Sequence, residues 1–173
     1  DLTDDEGIIL SPGILATDGG SFTPKSDRAF YAEATVTLAD ASGTDDFFFG
    51  FAKNQAYQTA MTDYTDYFGL GINTSADPGV IKTRWALNGT DGSLDTTQTW
   101  ADGATKILRV AVDDAGYGRC YIDGIATTVQ KTDFVFDTGD VVNWLLFGLH
   151  ATVAPGTWRL SKLEWGYSPR RGE

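Results

Sequence analysis

The sequence predicts an all-β domain of two antiparallel sheets packed face to face, on three observations. Phe30-Tyr-Ala-Glu-Ala-Thr-Val-Thr-Leu38 alternates strictly: Phe30, Ala32, Ala34, Val36 and Leu38 point one way, and Tyr31, Glu33, Thr35 and Thr37 the other. A period of two marks a strand with one buried face. Similar runs follow one another, broken by Gly- and Asp-rich turns about every ten residues, with no helical stretch between them. Asp46-Phe-Phe-Phe-Gly-Phe-Ala52 is apolar in both phases, which fits a central strand covered on both sides.

Each element can be justified in order. Gly7-Ile-Ile-Leu10 is a short strand stopped by Ser11-Pro-Gly13, and Asp18-Gly-Gly20 is a turn. The long alternating strand covers 29–39, and Ala41-Ser-Gly-Thr44 turns the chain into the Phe-rich strand. Gly50 in that strand signals close backbone approach or a bend. Residues 53–65 read as a long polar loop, with Gln55–Met61 a short, weakly patterned helical candidate. Tyr67-Phe-Gly-Leu-Gly-Ile72 and Val80 to Leu87 are strands, followed by the Asn88-Gly-Thr-Asp-Gly92 turn and a candidate strand from Leu94 to Trp100. Lys106-Ile-Leu-Arg-Val-Ala-Val112 turns at Asp113-Asp-Ala-Gly116 into Tyr117-Gly-Arg-Cys-Tyr-Ile122. Asp123-Gly124 between two strand runs is a strong hairpin signal. Phe134 and Phe136 begin an edge segment.

The last strands cover 144–153 and 157–167. Leu145, Phe147, Leu149, Ala151 and Val153 share a face. Trp158 and Leu160 share one phase, whereas Leu163, Trp165 and Tyr167 share the opposite one. One extra residue flips an alternation, so a β-bulge is expected at Ser161-Lys162. The expected division is an N-terminal arm with a first short strand over 1–28, a sandwich over 29–168 and a polar tail over 169–173.

The composition narrows the function. The chain has 173 residues, 42% of them hydrophobic and 13% aromatic, enough for one packed core. Its formal net charge of −11 repels phosphate backbones and anionic lipid, which sets aside nucleic acid and membrane as partners. No apolar run approaches the ~20 residues of a membrane-spanning helix. One cysteine, Cys120, excludes an internal disulfide. Asn73-Thr-Ser and Asn88-Gly-Thr fit the glycosylation sequon, which a chain rich in Asn, Thr and Gly also meets by chance.

The order of motifs carries a resemblance. Phe49-Gly-Phe51, Tyr67-Phe-Gly-Leu-Gly71, Trp100-Ala-Asp-Gly103 leading into Leu108-Arg-Val-Ala-Val-Asp113, Tyr121-Ile-Asp-Gly124 and the closing Leu163-Glu-Trp165 resemble the concanavalin A-like (laminin-G-like) jelly-roll sandwich. More narrowly, residues 28–167 are similar to the structural proteins of tailed-bacteriophage heads that carry this domain. The resemblance implies a capsid decoration or cementing role on the outer surface of the virion, against the major capsid protein. A protein that binds only an assembled lattice stabilises it by mass action.

Candidate chemistry is sparse. Jelly-roll glucanases place an acid and a nucleophile on one strand, typically as Glu-x-Asp-x-x-Glu. No such match exists: Glu33 and Glu164 stand alone, Asp45 and Asp46 point apart, and Asp113 and Asp114 sit in a turn. His150 is the only histidine and reads as a packing or surface residue. Cys120 reads as a buried inert thiol, since a reactive one needs an electropositive setting. Asp63, Asp66 and Asp77, or Asp91 with Asp95, could contribute oxygens to calcium. None fits a calcium-loop pattern, and solvated turn aspartates explain them.

The expectation is therefore a non-enzyme with no catalytic residue, no metal and no cofactor. Trp85 reads as core. Tyr57 and Tyr64 in the long loop, with Ile8, Ile9 and Leu10 in the arm, are the partner-contact candidates. The alternative is a carbohydrate-binding, lectin-like module, perched on a virion or elsewhere, which would use loop aromatics such as Tyr57, Tyr64, Trp85 and Trp100 as stacking platforms. Self-association as dimers or trimers is expected from shell symmetry.

Overall fold

The computed structural model describes residues 7–12, 21–73, 77–128, 131, 133–150 and 158–169, with the side chains of Asp45 and His150 also outside the description. Among the described residues twelve strands run in chain order: β1 (Gly7–Leu10), β2 (Ser21–Phe22), β3 (Phe30–Leu38), β4 (Thr44–Lys53), β5 (Tyr67–Asn73), β6 (Val80–Leu87), β7 (Thr90–Thr99), β8 (Thr105–Val112), β9 (Gly118–Ile122), β10 (Ile125–Ala126), β11 (Val142–His150) and β12 (Trp158–Tyr167). The only helical turn among the described residues is a 3-10 turn at Met61–Asp63, where a longer helical candidate was weakly patterned.

The strands form two antiparallel sheets. The larger runs β1-β11-β4-β5-β6-β7, with β2 also on β11, and the smaller runs β10-β9-β8-β3-β12. This is the two-sheet sandwich that the alternation predicts, with the jelly-roll form that the resemblance implies. Part of the expected arm belongs to it. β1 and β2 both hydrogen-bond to β11, because a four-residue and a two-residue strand need only a free edge, not a long alternating pattern.

The main core lies between the sheets. Phe30, Ala32, Ala34, Val36 and Leu38 of β3 meet Phe47, Phe49 and Phe51 of β4 and Phe68, Leu70 and Ile72 of β5. A second apolar layer covers the outer face of the larger sheet: Phe48, Ala52, Tyr67, Ala86, Leu145, Phe147 and Leu149, roofed by Met61 and Tyr64 from the 54–66 loop and flanked by Ile9. Two buried faces are why β4 is apolar in both phases. They also explain β11, whose Trp144 and Leu146 face the main core while Leu145, Phe147 and Leu149 face the roof.

Local signals match. Asp123 and Gly124 both have positive φ, 53° and 80°, and Ile122 pairs with Ile125 across them. That geometry follows the right-handed strand twist. Asn88 and Gly89 do the same with φ of 52° and 75°, so Thr90 to Gly92 join β7 instead of the expected turn. A Cβ on Gly50 would sit 2.3 Å from the carbonyl oxygen of Phe68, the close approach that this glycine signals. Register shifts fall between Leu160 and Lys162 on β12, where the phase switch places a bulge, and between Ile81 and Lys82 opposite β7. Phe134 and Phe136 are buried beside a single bridge from Tyr117 to Val135 rather than on a full edge strand. The turn at 18–20, Ala151 and Val153, and the tail beyond Pro169 lie outside the described residues.

Candidate functional site

The outer face of the larger sheet is divided by the 54–66 loop. Over β11 and β4 the loop closes down: Met61 is buried, and Tyr64 packs edge-on to Phe147 with ring centroids 6.4 Å apart. Over β5, β6 and β7 the face stays open and polar. Its outward positions are Tyr67, Gly69, Gly71 and Asn73 on β5, Lys82 and Arg84 on β6, and Asp91 and Ser93 on β7. With Thr62 at the loop's edge, Tyr67, Asn73, Lys82, Arg84, Asp91 and Ser93 line a groove of about 190 Å³.

The floor is built around Arg84. It stands opposite Gly69, and its stem crosses Gly71, where a Cβ would lie 2.8 Å from Arg84 Cδ. The glycines therefore let a long cation lie flat on the sheet. Its guanidinium pairs with the Asp46 carboxylate and hydrogen-bonds the Tyr67 hydroxyl. Arg84 is only 4% exposed, so this pair is a buried one and its partners must satisfy each other. Burial pushes the Tyr67 phenol up to about 12, and the neighbouring Asp91 and Asp46 charges add to it. Lys82 Nζ lies 2.7 Å from Asp77 Oδ2. Both cations in the groove are thus charge-compensated.

A smaller cavity gathers three of the contact candidates. Ile9, Tyr57 and Tyr64 border it with Asn54, Gln55, Asn143 and Leu145, but it encloses only about 30 Å³. That is room for one or two water molecules, not a ligand. Tyr64 is 5% exposed and belongs to the second core, so the expectation of a free contact ring there is corrected: the loop folds inward because its apolar side chains cover Phe147. Tyr57 is 55% exposed, and Ile8 and Leu10 are exposed on the edge strand while Ile9 packs against the roofed layer. Trp100 is core, its indole N–H donating to the Ala104 carbonyl, and Trp85 packs against the core.

The acids sort differently from their spacing in sequence. Glu33 accepts from Arg109 at 3.5 Å and faces Lys162 at 3.6 Å on the outer face of the smaller sheet, and Glu164 pairs with the same lysine. Asp63 and Asp77 do not meet Asp66. Asp66 instead joins Asp137 and Asp140; Lys53 pairs with Asp66 and Asp140, and its ammonium is held above the usual lysine range chiefly by its hydrogen bond to Asp140. Cys120 is buried, and desolvation pushes its thiol up, away from reactivity. His150 stands on β11, but its side chain lies outside the described residues.

Sequence reasoning passed over Arg84, Lys82 and Asn73. The signal was present: Lys82 and Arg84 share one phase of a strand whose other phase is Ile81, Thr83 and Trp85. A cation at a strand position flanked by glycine-rich β5 marks a floor that must be polar.

No protein-family model and no curated protein matches the sequence. Solved structures share its fold. The Emp46p carbohydrate recognition domain, in a potassium-bound form, superposes with a TM-score of 0.66 at 9% identity, covering 95% of this chain and 79% of that one. Carbohydrate-binding module CBM66 from Bacillus subtilis gives 0.56 at 11% identity, covering 94% and 93%. An alginate lyase from Corynebacterium sp. gives 0.57 at 10% identity, covering 88% and 64%. The chain has the jelly-roll fold of lectin-type and carbohydrate-binding domains, a fold that also hosts lyases.

Proposed function

We propose that the chain is a non-catalytic carbohydrate-binding module that holds a neutral oligosaccharide in the groove over β5, β6 and β7. The observation that carries this reading is the groove's chemistry: hydroxyl, amide, ammonium and carboxylate groups fixed on one rigid sheet face, with its cations already paired. Such a surface suits a ligand rich in hydroxyl groups, each of which both donates and accepts. An acidic polysaccharide is a poorer fit, since Asp46 and Asp77 neutralise Arg84 and Lys82 and the whole chain carries −11.

The same chemistry argues against catalysis. A general base works best with a pKa near the operating pH. Tyr67, the phenol on the groove floor, is pushed the other way. The lectin-type and binding-module neighbours are in keeping with the reading; they and the lyases alike share the fold alone with this chain.

A glycan array, followed by titration of the best neutral hit, tests the proposal. Binding in the millimolar range is expected, with Asp91→Ala weakening it about tenfold, the effect of losing roughly one charge-assisted hydrogen bond. No neutral glycan bound, or unchanged affinity in Asp91→Ala, would overturn it. Release of unsaturated product from an alginate panel would overturn the non-catalytic clause.

The capsid-coat expectation is retained as a second reading because of one feature. Ile8 and Leu10 are exposed on the edge strand β1, and Tyr57 is exposed on the loop beside it. Apolar and aromatic side chains of this kind anchor protein contacts. Co-sedimentation with assembled phage heads, as a dimer or trimer, tests this reading.

A further inference from the structure

We propose that Asp66, Asp137 and Asp140 form a calcium site that clamps the base of the 54–66 loop. One carboxylate oxygen from each lies within 4.8 Å of the others. Calcium binds oxygens at about 2.3–2.6 Å, so ligands across its sphere stand about 5 Å apart, whereas magnesium would demand about 4 Å. Three carboxylates from separate segments suit calcium's flexible coordination better than the near-ideal octahedron that magnesium demands.

Proximity alone would not make a site. The second observation is an orphaned atom. Asp140 is 7% exposed, its Oδ1 lies 2.6 Å from Lys53 Nζ, and its Oδ2 is buried with no hydrogen-bond partner. Buried polar atoms without partners are rare in native proteins, and an unpaired carboxylate oxygen is among the most costly. Asp66 is 1% exposed; its Oδ1 accepts the Asn88 N–H at 2.8 Å, and its Oδ2 is 3.6 Å from the same ammonium. Asp137 is exposed and accepts the Asn88 side-chain amide through Oδ2 at 2.9 Å. Of the three carboxylates, Asp140 is thus the one with a buried oxygen that nothing in the fold satisfies. Two of the three carboxylates pair with the one ammonium, so the ionised cluster keeps an excess of negative charge that a divalent ion would offset. Lys53 has 37% of its side chain exposed, so it can swing into solvent as the ion enters. Backbone carbonyls and water would complete the six to eight ligands.

The site joins three separate segments. Lys53 N–H donates to Asp66 O, Gly89 N–H to Thr65 O, and Asn54 N–H to Val141 O. An ion there would lock the two ends of the roofing loop to the Asn88 turn and to the start of β11.

Thermal unfolding of the EDTA-treated chain with and without 5 mM calcium chloride tests the proposal. A rise of about 5 °C is expected, the size that tight occupancy gives a chain of this length. Magnesium should give less than half of it. Asp140→Asn should lose the rise, and Asp95→Asn, outside the cluster, should keep it. If Asp140→Asn fails to fold, Asp137→Asn at the exposed member should weaken calcium at least tenfold by calorimetry. No shift in the native chain, an equal loss in Asp95→Asn, or unchanged affinity in Asp137→Asn would overturn the site.

Discussion

At the scale of single residues, Arg84 decides most. A guanidinium lying flat on a sheet is tolerated only because Gly71 leaves room and because Asp46 and Tyr67 take up its donors. Removing one member of a buried ion pair leaves the other charge without compensation, which costs about 3–5 kcal/mol. Arg84→Met is therefore expected to lower the unfolding free energy by about 3–5 kcal/mol, read from urea titration, while a change in the exposed Asp91 should stay within about 0.5 kcal/mol. Equal stability of Arg84→Met would mean that the pair is not buried in solution. The contrast separates fold from function in one groove: Arg84 holds the floor, and Asp91 is free to meet a ligand.

At the scale of elements, the 54–66 loop is the feature that distinguishes one half of the larger sheet from the other. Met61 is its deepest anchor, fully buried against the outer layer. Truncating a buried methionine costs about 2–5 kcal/mol. Met61→Ala should lower the urea midpoint by that amount and raise binding of a hydrophobic dye, while the circular dichroism of the strands stays unchanged. An unaltered midpoint would show that the loop is not a true roof. The strands themselves were legible in the sequence because alternation, Asp-Gly turns and the phase switch at Ser161-Lys162 are local signals. The roof was not. A loop packs inward when a distant strand presents an apolar outer face, and Leu145, Phe147 and Leu149 reveal that face only once β11 is seen between β1 and β4. The same holds for the acidic cluster. Asp66 is separated from Asp137 and Asp140 by 71 and 74 positions in the chain, too far for any spacing rule.

At the scale of the whole molecule, the titratable groups inside the fold share one direction. Burial raises Tyr64, Tyr67 and Cys120, and the Asp140 hydrogen bond raises Lys53. The folded chain then keeps protons that the unfolded chain releases, so stability falls as pH rises. For Lys53 the contribution is complete below the unfolded lysine value and is lost above it. Unfolding free energy should decline from about pH 9, where the unfolded thiol ionises, and more steeply beyond about pH 10, where unfolded phenols follow. Urea midpoints between pH 7 and pH 11 measure this, and Tyr67→Phe should flatten the upper limb. A midpoint that climbs over the same interval would contradict the assignment. Finally, the outer strands have a consequence for crowding. β12 carries its register shift beside Arg159, Lys162 and Glu164, and β7 carries one next to Asp95, where Thr96 and Thr97 bulge opposite the Ile81–Lys82 step. Irregular, charged margins give an adjacent copy no straight ladder to extend. Along those two edges, copies can lie at high density without knitting into fibrils.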